Sequence, residues 1–296
     1  MRSYLFVPAD SERKLEKGPS SGADCLLIDL EDSVSPRRKA EARKMAAAFL
    51  NGAERGPGRP KLYVRVNALE TGLTEADLDT IVAARPDGVL LPKAQGRADI
   101  EHLATLLAVR EAEAGIEDGA IRIQALVAET AAGVLNLNDY RGASSRLEGM
   151  SWGGEDLAAD LGAAVNRGAD GRYLDAFRLA RSMTLIAAAA AGVMAVDTVY
   201  VDFRDMEGLE RDCVAAERDG FSGKLAIHPA QVEVINRVFT PSEEAVRRAR
   251  RIVDLFASAG EDAGVMSLEG QMIDRPHLRQ AERILRRAEA AGLTSA

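Results

Sequence analysis

The chain has 296 residues, 47% of them hydrophobic, with a net charge of −8 and a pI near 5.2. That length exceeds one sandwich domain and suits a single α/β barrel with a small extension. The acidic balance argues against non-specific nucleic-acid binding, and the longest apolar run, Leu185 to Val196 at 12 residues, is too short to span a bilayer.

In chain order, Ser3 to Pro8 reads as a buried strand, and Ser11 as the cap of a helix carrying Arg13, Lys14 and Lys17. Strands follow at Cys25 to Leu30, Leu62 to Asn67, Gly88 to Lys93, Ile121 to Ala128, Leu147 to Gly153, Ala195 to Val201 and Gly223 to His228. Between them lie helical stretches at Pro36 to Leu50, Leu73 to Ala84, Arg97 to Ala114, Leu157 to Gly162, Tyr173 to Gly192 and Met206 to Asp219. Continuous apolar strands alternating with helices imply a parallel sheet covered on both faces. Eight of them favour the α/β class and a (β/α)8 TIM barrel. No Gly-x-Gly-x-x-Gly follows the first strand, which weighs against a dinucleotide fold. The expected division is a barrel over 1–240 and a C-terminal helical extension or lid over 241–296. Gln231 to Val238 and Ser242 to Ser258 read as helices on either side of that boundary, Gly264 to Pro276 as an ordered loop, and the stretch to Ala291 as a last helix. Cys25 and Cys213 look buried and lack metal-ligand spacing. With no signal-peptide apolar core after Arg2, they point to the reducing cytoplasm.

Two stretches organise the chemistry. Leu126-Val127-Ala128-Glu129-Thr130 and Trp152-Gly153-Gly154-Glu155-Asp156-Leu157 each end an apolar run on a carboxylate, with helix-like sequence beyond. Carboxylates there sit at the mouth of a barrel, where Glu129 and Asp156 can hold a hard divalent cation, with waters or substrate oxygens completing its shell. The alternative is that each acid merely caps the following helix. Most other strand ends are polar too: Asp29, Glu31 and Asp32, then Arg65 and Asn67, Lys93, Asp202 and His228. Burying such charges is costly unless they pair or coordinate, which points to an enzyme. Arg65 suits a carboxylate or thioester oxygen, or an ion pair with Glu31 or Asp32. Lys93 reads as structural, bonding across to neighbouring acids. His228 reads as a supporting or core histidine, and Asp202 as a local cap. Lys14 and Lys17 are either a solvated helix face or a phosphate site at the barrel mouth.

Taken in order, Arg2-Ser3-x-Leu5-Phe6-Val7-Pro8, Ile28-Asp29-Leu30-Glu31-Asp32-Ser33-Val34, Val64-Arg65-Val66-Asn67, Leu91-Pro92-Lys93, Glu129-Thr130-Ala131-x-Gly133, Gly154-Glu155-Asp156-Leu157 and Gly220-Phe221-x-Gly223-Lys224-x-x-Ile227-His228-Pro229 resemble the HpcH/HpaI aldolase and citrate lyase β-subunit family. The resemblance is to its CitE-like, malyl-CoA or citramalyl-CoA lyase branch and covers almost the whole chain. It implies Mg2+ dependence, with Glu129 and Asp156 as metal ligands, Glu129 and Arg65 also contacting substrate, and Lys14 and Lys17 binding CoA phosphates. It further implies a homotrimer or hexamer, in which Asp274 of Gln271-Met272-Ile273-Asp274-Arg275-Pro276 acts as general acid/base in a neighbouring subunit's site. The implied reaction is reversible cleavage of a short 3-hydroxyacyl-CoA into acetyl-CoA and glyoxylate or pyruvate. The alternatives are the acyl lyase (β) subunit of a citrate lyase complex, acting on an acyl-carrier protein, and a malyl-CoA thioesterase.

Overall fold

A computed structural model of the chain describes residues 1–259 and 264–293. Eight parallel strands close into a barrel in sequence order: β1 (Ser3–Pro8), β2 (Cys25–Asp29), β3 (Lys61–Arg65), β4 (Gly88–Leu91), β5 (Arg122–Ala128), β6 (Leu147–Trp152), β7 (Met194–Asp197) and β8 (Gly223–Ala226). Closure is made by β8 against β1, with Tyr4 opposite Leu225. The helices are α1 (Glu12–Lys17), α2 (Lys39–Gly52), α3 (Thr74–Ile81), α4 (Arg97–Glu113), α5 (Ala131–Leu135), α6 (Gly154–Leu161), α7 (Asp175–Ala191), α8 (Met206–Asp219), α9 (Ala230–Phe239), α10 (Glu243–Ala259) and α11 (Arg275–Ala290). Every residue of β2 and β4 is buried, as strands covered by side chains within and helices without must be. Ala42, Ala46 and Leu50 form the buried stripe of α2, spaced four apart along one helical face.

Register, more than composition, positions the site. β2 and β3 pair so that Asp29 lies beside Arg65. β5 and β6 pair so that Ala128 lies beside Trp152, which brings the two expected carboxylate segments out of the barrel next to each other.

The structure refines the sequence-based expectations in several places. α2 begins later than expected, because Pro36–Arg38 form a 3-10 turn. The helix-like sequence read after Glu129, without bounds, is the short helix α5. β7 stops at Asp197, so Asp202 is not a strand end. Gly264 to Pro276 is a hairpin rather than a loop, with β9 (Val265–Leu268) antiparallel to β10 (Gln271–Asp274). Glu269 and Gly270 both take positive φ, the backbone of a two-residue hairpin turn whose twist matches its strands.

The described residues group into two compact units, residues 2–236 and residues 237 onward, with Met1 assigned to the second. The first holds the barrel. In the second, Ala249, Ile252 and Phe256 of α10 close a small core with Ile273 of β10 and Ala281 of α11. Strand alternation sends Met266, Leu268 and Ile273 into that core and leaves Val265 and Met272 exposed. Among the described residues no helix is long and apolar enough to cross a membrane.

Candidate active site

At the C-terminal mouth of the barrel lies a cavity of about 660 Å³. Its lining includes Arg65, Glu129, Trp152 and Asp156, with Arg13, Lys14 and Lys17 along one side. Five of the six expected site residues, Lys14, Lys17, Arg65, Glu129 and Asp156, therefore share one opening.

Glu129 leaves β5 and is 3% exposed. It does not cap the helix after it. Thr130 does, its hydroxyl accepting the Gly133 N–H at 3.0 Å. Gly133 is required because a Cβ there would sit 2.7 Å from the Val127 carbonyl. Freed from capping, Glu129 accepts one backbone hydrogen bond, from the Lys93 N–H at 2.6 Å. Burial first, and the charge of Asp156 second, push its carboxyl up to about 8, against the opposing pull of Lys93. Gly153 keeps this space open, since a Cβ there would lie 2.7 Å from Glu129 Cγ.

Asp156 stands in the first turn of α6, where the helix dipole favours an anion. Its side chain is 36% exposed, and the Lys93 ammonium is 3.6 Å away. It makes no side-chain cap either; Gly153 holds that position. Two carboxylates facing one space, one of them buried, are an arrangement that a cation relieves. Among the described residues no three His, Cys, Asp or Glu side chains converge on one point. An ion here would keep waters or take substrate oxygens, as Mg2+ does, and the donors are hard oxygens that suit it.

Arg65 ends β3. Nε and Nη2 donate to Asp29 at 2.7 and 2.6 Å, and Nη1 lies 2.8 Å from Glu31 Oε2. The guanidinium rests over the Phe6 ring at 4.6 Å. The ion-pair reading of Arg65 named Glu31 or Asp32; the structure uses Asp29 and Glu31. Burial opposes the arginine's charge, but these acids raise its pKa overall, so it is a fixed cation. Each terminal nitrogen keeps a further N–H for a ligand. Lys93 bonds to Glu31 at 2.5 Å, as its structural reading expected, and also lies 3.5 Å from Asp32.

Lys14 and Lys17 are exposed on α1, which is anchored through buried Leu15. The Ser11 side chain makes no cap bond to that helix. His228 is exposed and not a core residue; it stacks on Phe203 at 4.9 Å and lines the cavity. Asp202 accepts the Arg204 N–H at 3.1 Å, a local turn as expected. Asp274 belongs to the second unit. There it caps α11 and meets His277 Nδ1 at 2.5 Å, which with a backbone N–H holds its carboxyl below the ordinary range.

Sequence reasoning missed Asp197. It lay inside an overlong seventh strand, whereas β7 ends on it. Asp197 is buried and accepts the Trp152 indole N–H at 2.7 Å, with Lys224 at 3.1 Å and Arg181 at 3.2 Å balancing its charge. The signal was available: an acid and a lysine on the predicted seventh and eighth strands needed each other.

Comparison with known proteins shows what the chain is similar to. A model of the HpcH/HpaI aldolase/citrate lyase family matches residues 2–229, and one of carbon–carbon bond lyases of the TIM-barrel fold matches residues 175–293. The chain is 34% identical to the mitochondrial citramalyl-CoA lyase of Rattus norvegicus, covering 96% of this chain and 85% of that protein. It is 37% identical to a (3S)-malyl-CoA thioesterase of Cereibacter sphaeroides, over 98% and 95% respectively. Among solved structures, CitE from Mycobacterium tuberculosis in complex with magnesium, acetoacetate and coenzyme A matches at a TM-score of 0.75 and 36% identity, covering 97% of this chain and 98% of that one. With 228 consecutive residues matched and the expected carboxylates at its barrel mouth, the chain belongs to the HpcH/HpaI aldolase/citrate lyase family.

Proposed function

We propose that this protein is a Mg2+-dependent carbon–carbon lyase that reversibly cleaves a short 3-hydroxyacyl-CoA, such as malyl-CoA or citramalyl-CoA, to acetyl-CoA and glyoxylate or pyruvate. The observation that carries the reading is the convergence of Glu129, Asp156 and Arg65 on one cavity. Glu129 and Asp156 hold the ion. When bound, Mg2+ supplies Lewis acidity toward the hydroxyl and keto oxygens of the substrate.

The remaining work falls to the chain. Arg65, clamped by Asp29 and Glu31, directs its free N–H groups at the thioester oxygen, where negative charge grows as the carbon–carbon bond breaks and an acetyl-CoA enolate leaves. In cleavage the substrate hydroxyl gives its proton to water as the carbon–carbon bond breaks, and Asp274 protonates the enolate carbon; in condensation Asp274 removes a methyl proton and water protonates the new alkoxide. Asp274 does so in trans, from the 241–296 extension of a neighbouring subunit in a homotrimer or hexamer. Lys14 and Lys17 meet the CoA phosphates. The compartment is the cytoplasm, consistent with two buried free thiols.

The test is to incubate protein, Mg2+ and acetyl-CoA with glyoxylate, pyruvate or oxaloacetate and identify the products by mass. A new 3-hydroxyacyl-CoA supports the lyase; none with any keto acid refutes it. The second reading, malyl-CoA hydrolysis, is favoured by the similarity to the thioesterase. Free malate from malyl-CoA, with no glyoxylate, selects it.

A further inference from the structure

We propose that Lys93 is the positioning residue of the carboxylate pair: its left-handed backbone aims an N–H at Glu129 while its ammonium braces Asp156 and Glu31. The inference rests on the Mg2+ site proposed above and adds what sets that site's geometry.

Among the described residues, only three non-glycine positions have positive φ. Lys93, at 51°, is the one of these in contact with residues that line the cavity, Glu129 and Asp156. A β-carbon there costs strain that glycine would avoid, so both the backbone conformation and the side chain need a reason. The backbone has one. In a regular ladder successive N–H groups point to opposite neighbours. Here two successive groups address the same neighbouring segment: Lys93 N–H reaches Glu129 Oε2, just beyond β5, at 2.6 Å, and Ala94 N–H reaches the Leu126 carbonyl of β5 at 3.0 Å. The left-handed residue turns the first donor toward the carboxylate while the second keeps the loop on β5.

The side chain has the other reason. The ammonium lies 2.5 Å from Glu31, 3.5 Å from Asp32 and 3.6 Å from Asp156. Glu31 in turn holds Arg65 Nη1 at 2.8 Å. Lys93 thus touches both proposed metal ligands, through different atoms, and is linked through one acid to the arginine. Glycine would supply the turn without the brace. A lysine elsewhere on the loop would supply the charge without the N–H.

The experiment titrates Mg2+ calorimetrically into substrate-free wild type and into Lys93→Ala, Lys93→Gly and Lys93→Arg, with melting temperatures alongside. Lys93→Gly retains the turn and relieves its strain, so it folds whether or not Lys93→Ala does. The expected result is Mg2+ binding about 10–100-fold weaker in the glycine and alanine variants, the usual loss when a group supporting metal ligands is removed. Lys93→Arg should recover most of it. Unchanged or tighter binding in Lys93→Gly overturns the proposal, because the ammonium is then a bystander or a competitor of the ion. Wild type that binds no Mg2+ sinks both the proposal and the metal reading. Wild type that binds Mg2+ but cleaves no carbon–carbon bond sinks only the reaction, and the Lys93 comparison still decides this inference.

Discussion

Glu129→Gln should stabilise the metal-free protein while abolishing its response to magnesium. The wild-type carboxyl has an ordinary value of 4.5, and burial, then the charge of Asp156, raise it to about 8 in the fold. A group raised on folding contributes stability that is fully present below 4.5, where it is neutral in both states, and is lost as pH climbs toward 8. At pH 7 the loss is about 3 kcal/mol, at roughly 1.4 kcal/mol per pH unit. Glutamine has the same shape, keeps an oxygen for the Lys93 N–H and carries no charge to desolvate. Metal-free Glu129→Gln should therefore melt on the order of 5 °C above wild type at pH 7. The gap should be small at pH 5 and widen toward pH 8. Added Mg2+ should raise the wild-type melting temperature, by about 2.7 kcal/mol of stability at a hundredfold excess over Kd, and leave the variant unmoved. Differential scanning fluorimetry across pH, with and without Mg2+, reads all of this. A variant that melts below wild type, or a gap that ignores pH, refutes the electrostatic argument.

Arg65→Lys keeps the charge but loses the fork that grips Asp29, so kcat should fall by about 10²–10³-fold in the acetyl-CoA condensation assay while Mg2+ binding persists. Asp274→Ala should lower turnover by at least ~10²-fold, with Mg2+ affinity by calorimetry unchanged. Acid stability tests a site far from the chemistry: burial raises the Asp87 carboxyl, but Arg59, the Leu62 N–H and Lys61 more than offset it, leaving it below its ordinary 3.8. Its contribution is present above 3.8 and lost as pH falls through the lower folded value, so Asp87→Asn should flatten the acid limb of melting temperature against pH.

The barrel was legible because its signal is redundant. Eight apolar runs separated by helices leave few architectures, and errors of a few residues at strand ends do not change the count. Glu129 and Asp156 were legible for a related reason: each follows a strand whose apolar pattern stops abruptly. Where the strand ended less abruptly the reading failed. Val199, Tyr200 and Val201 look like strand, yet β7 stops at Asp197, where its pairing with β6 and β8 ends, and that carboxylate is held by Trp152, Arg181 and Lys224 from three other elements. Partnerships of that kind depend on register. Asp29 was visible as a polar strand end, but its pairing with Arg65 follows from β2 and β3 lying in phase, which no local pattern states. The same applies to Lys93: its charge was in the sequence, its left-handed backbone was not. The hairpin of β9 and β10 was hidden by brevity, four residues a strand around Glu269-Gly270, too little for alternation to stand out.

The most direct measurement is anomalous diffraction from crystals soaked with Mn2+ as a scattering substitute for Mg2+. The account predicts one strong peak within bonding distance of both the Glu129 and the Asp156 carboxylates. A barrel mouth with no peak, or an ion bound elsewhere with these two side chains turned apart, contradicts it.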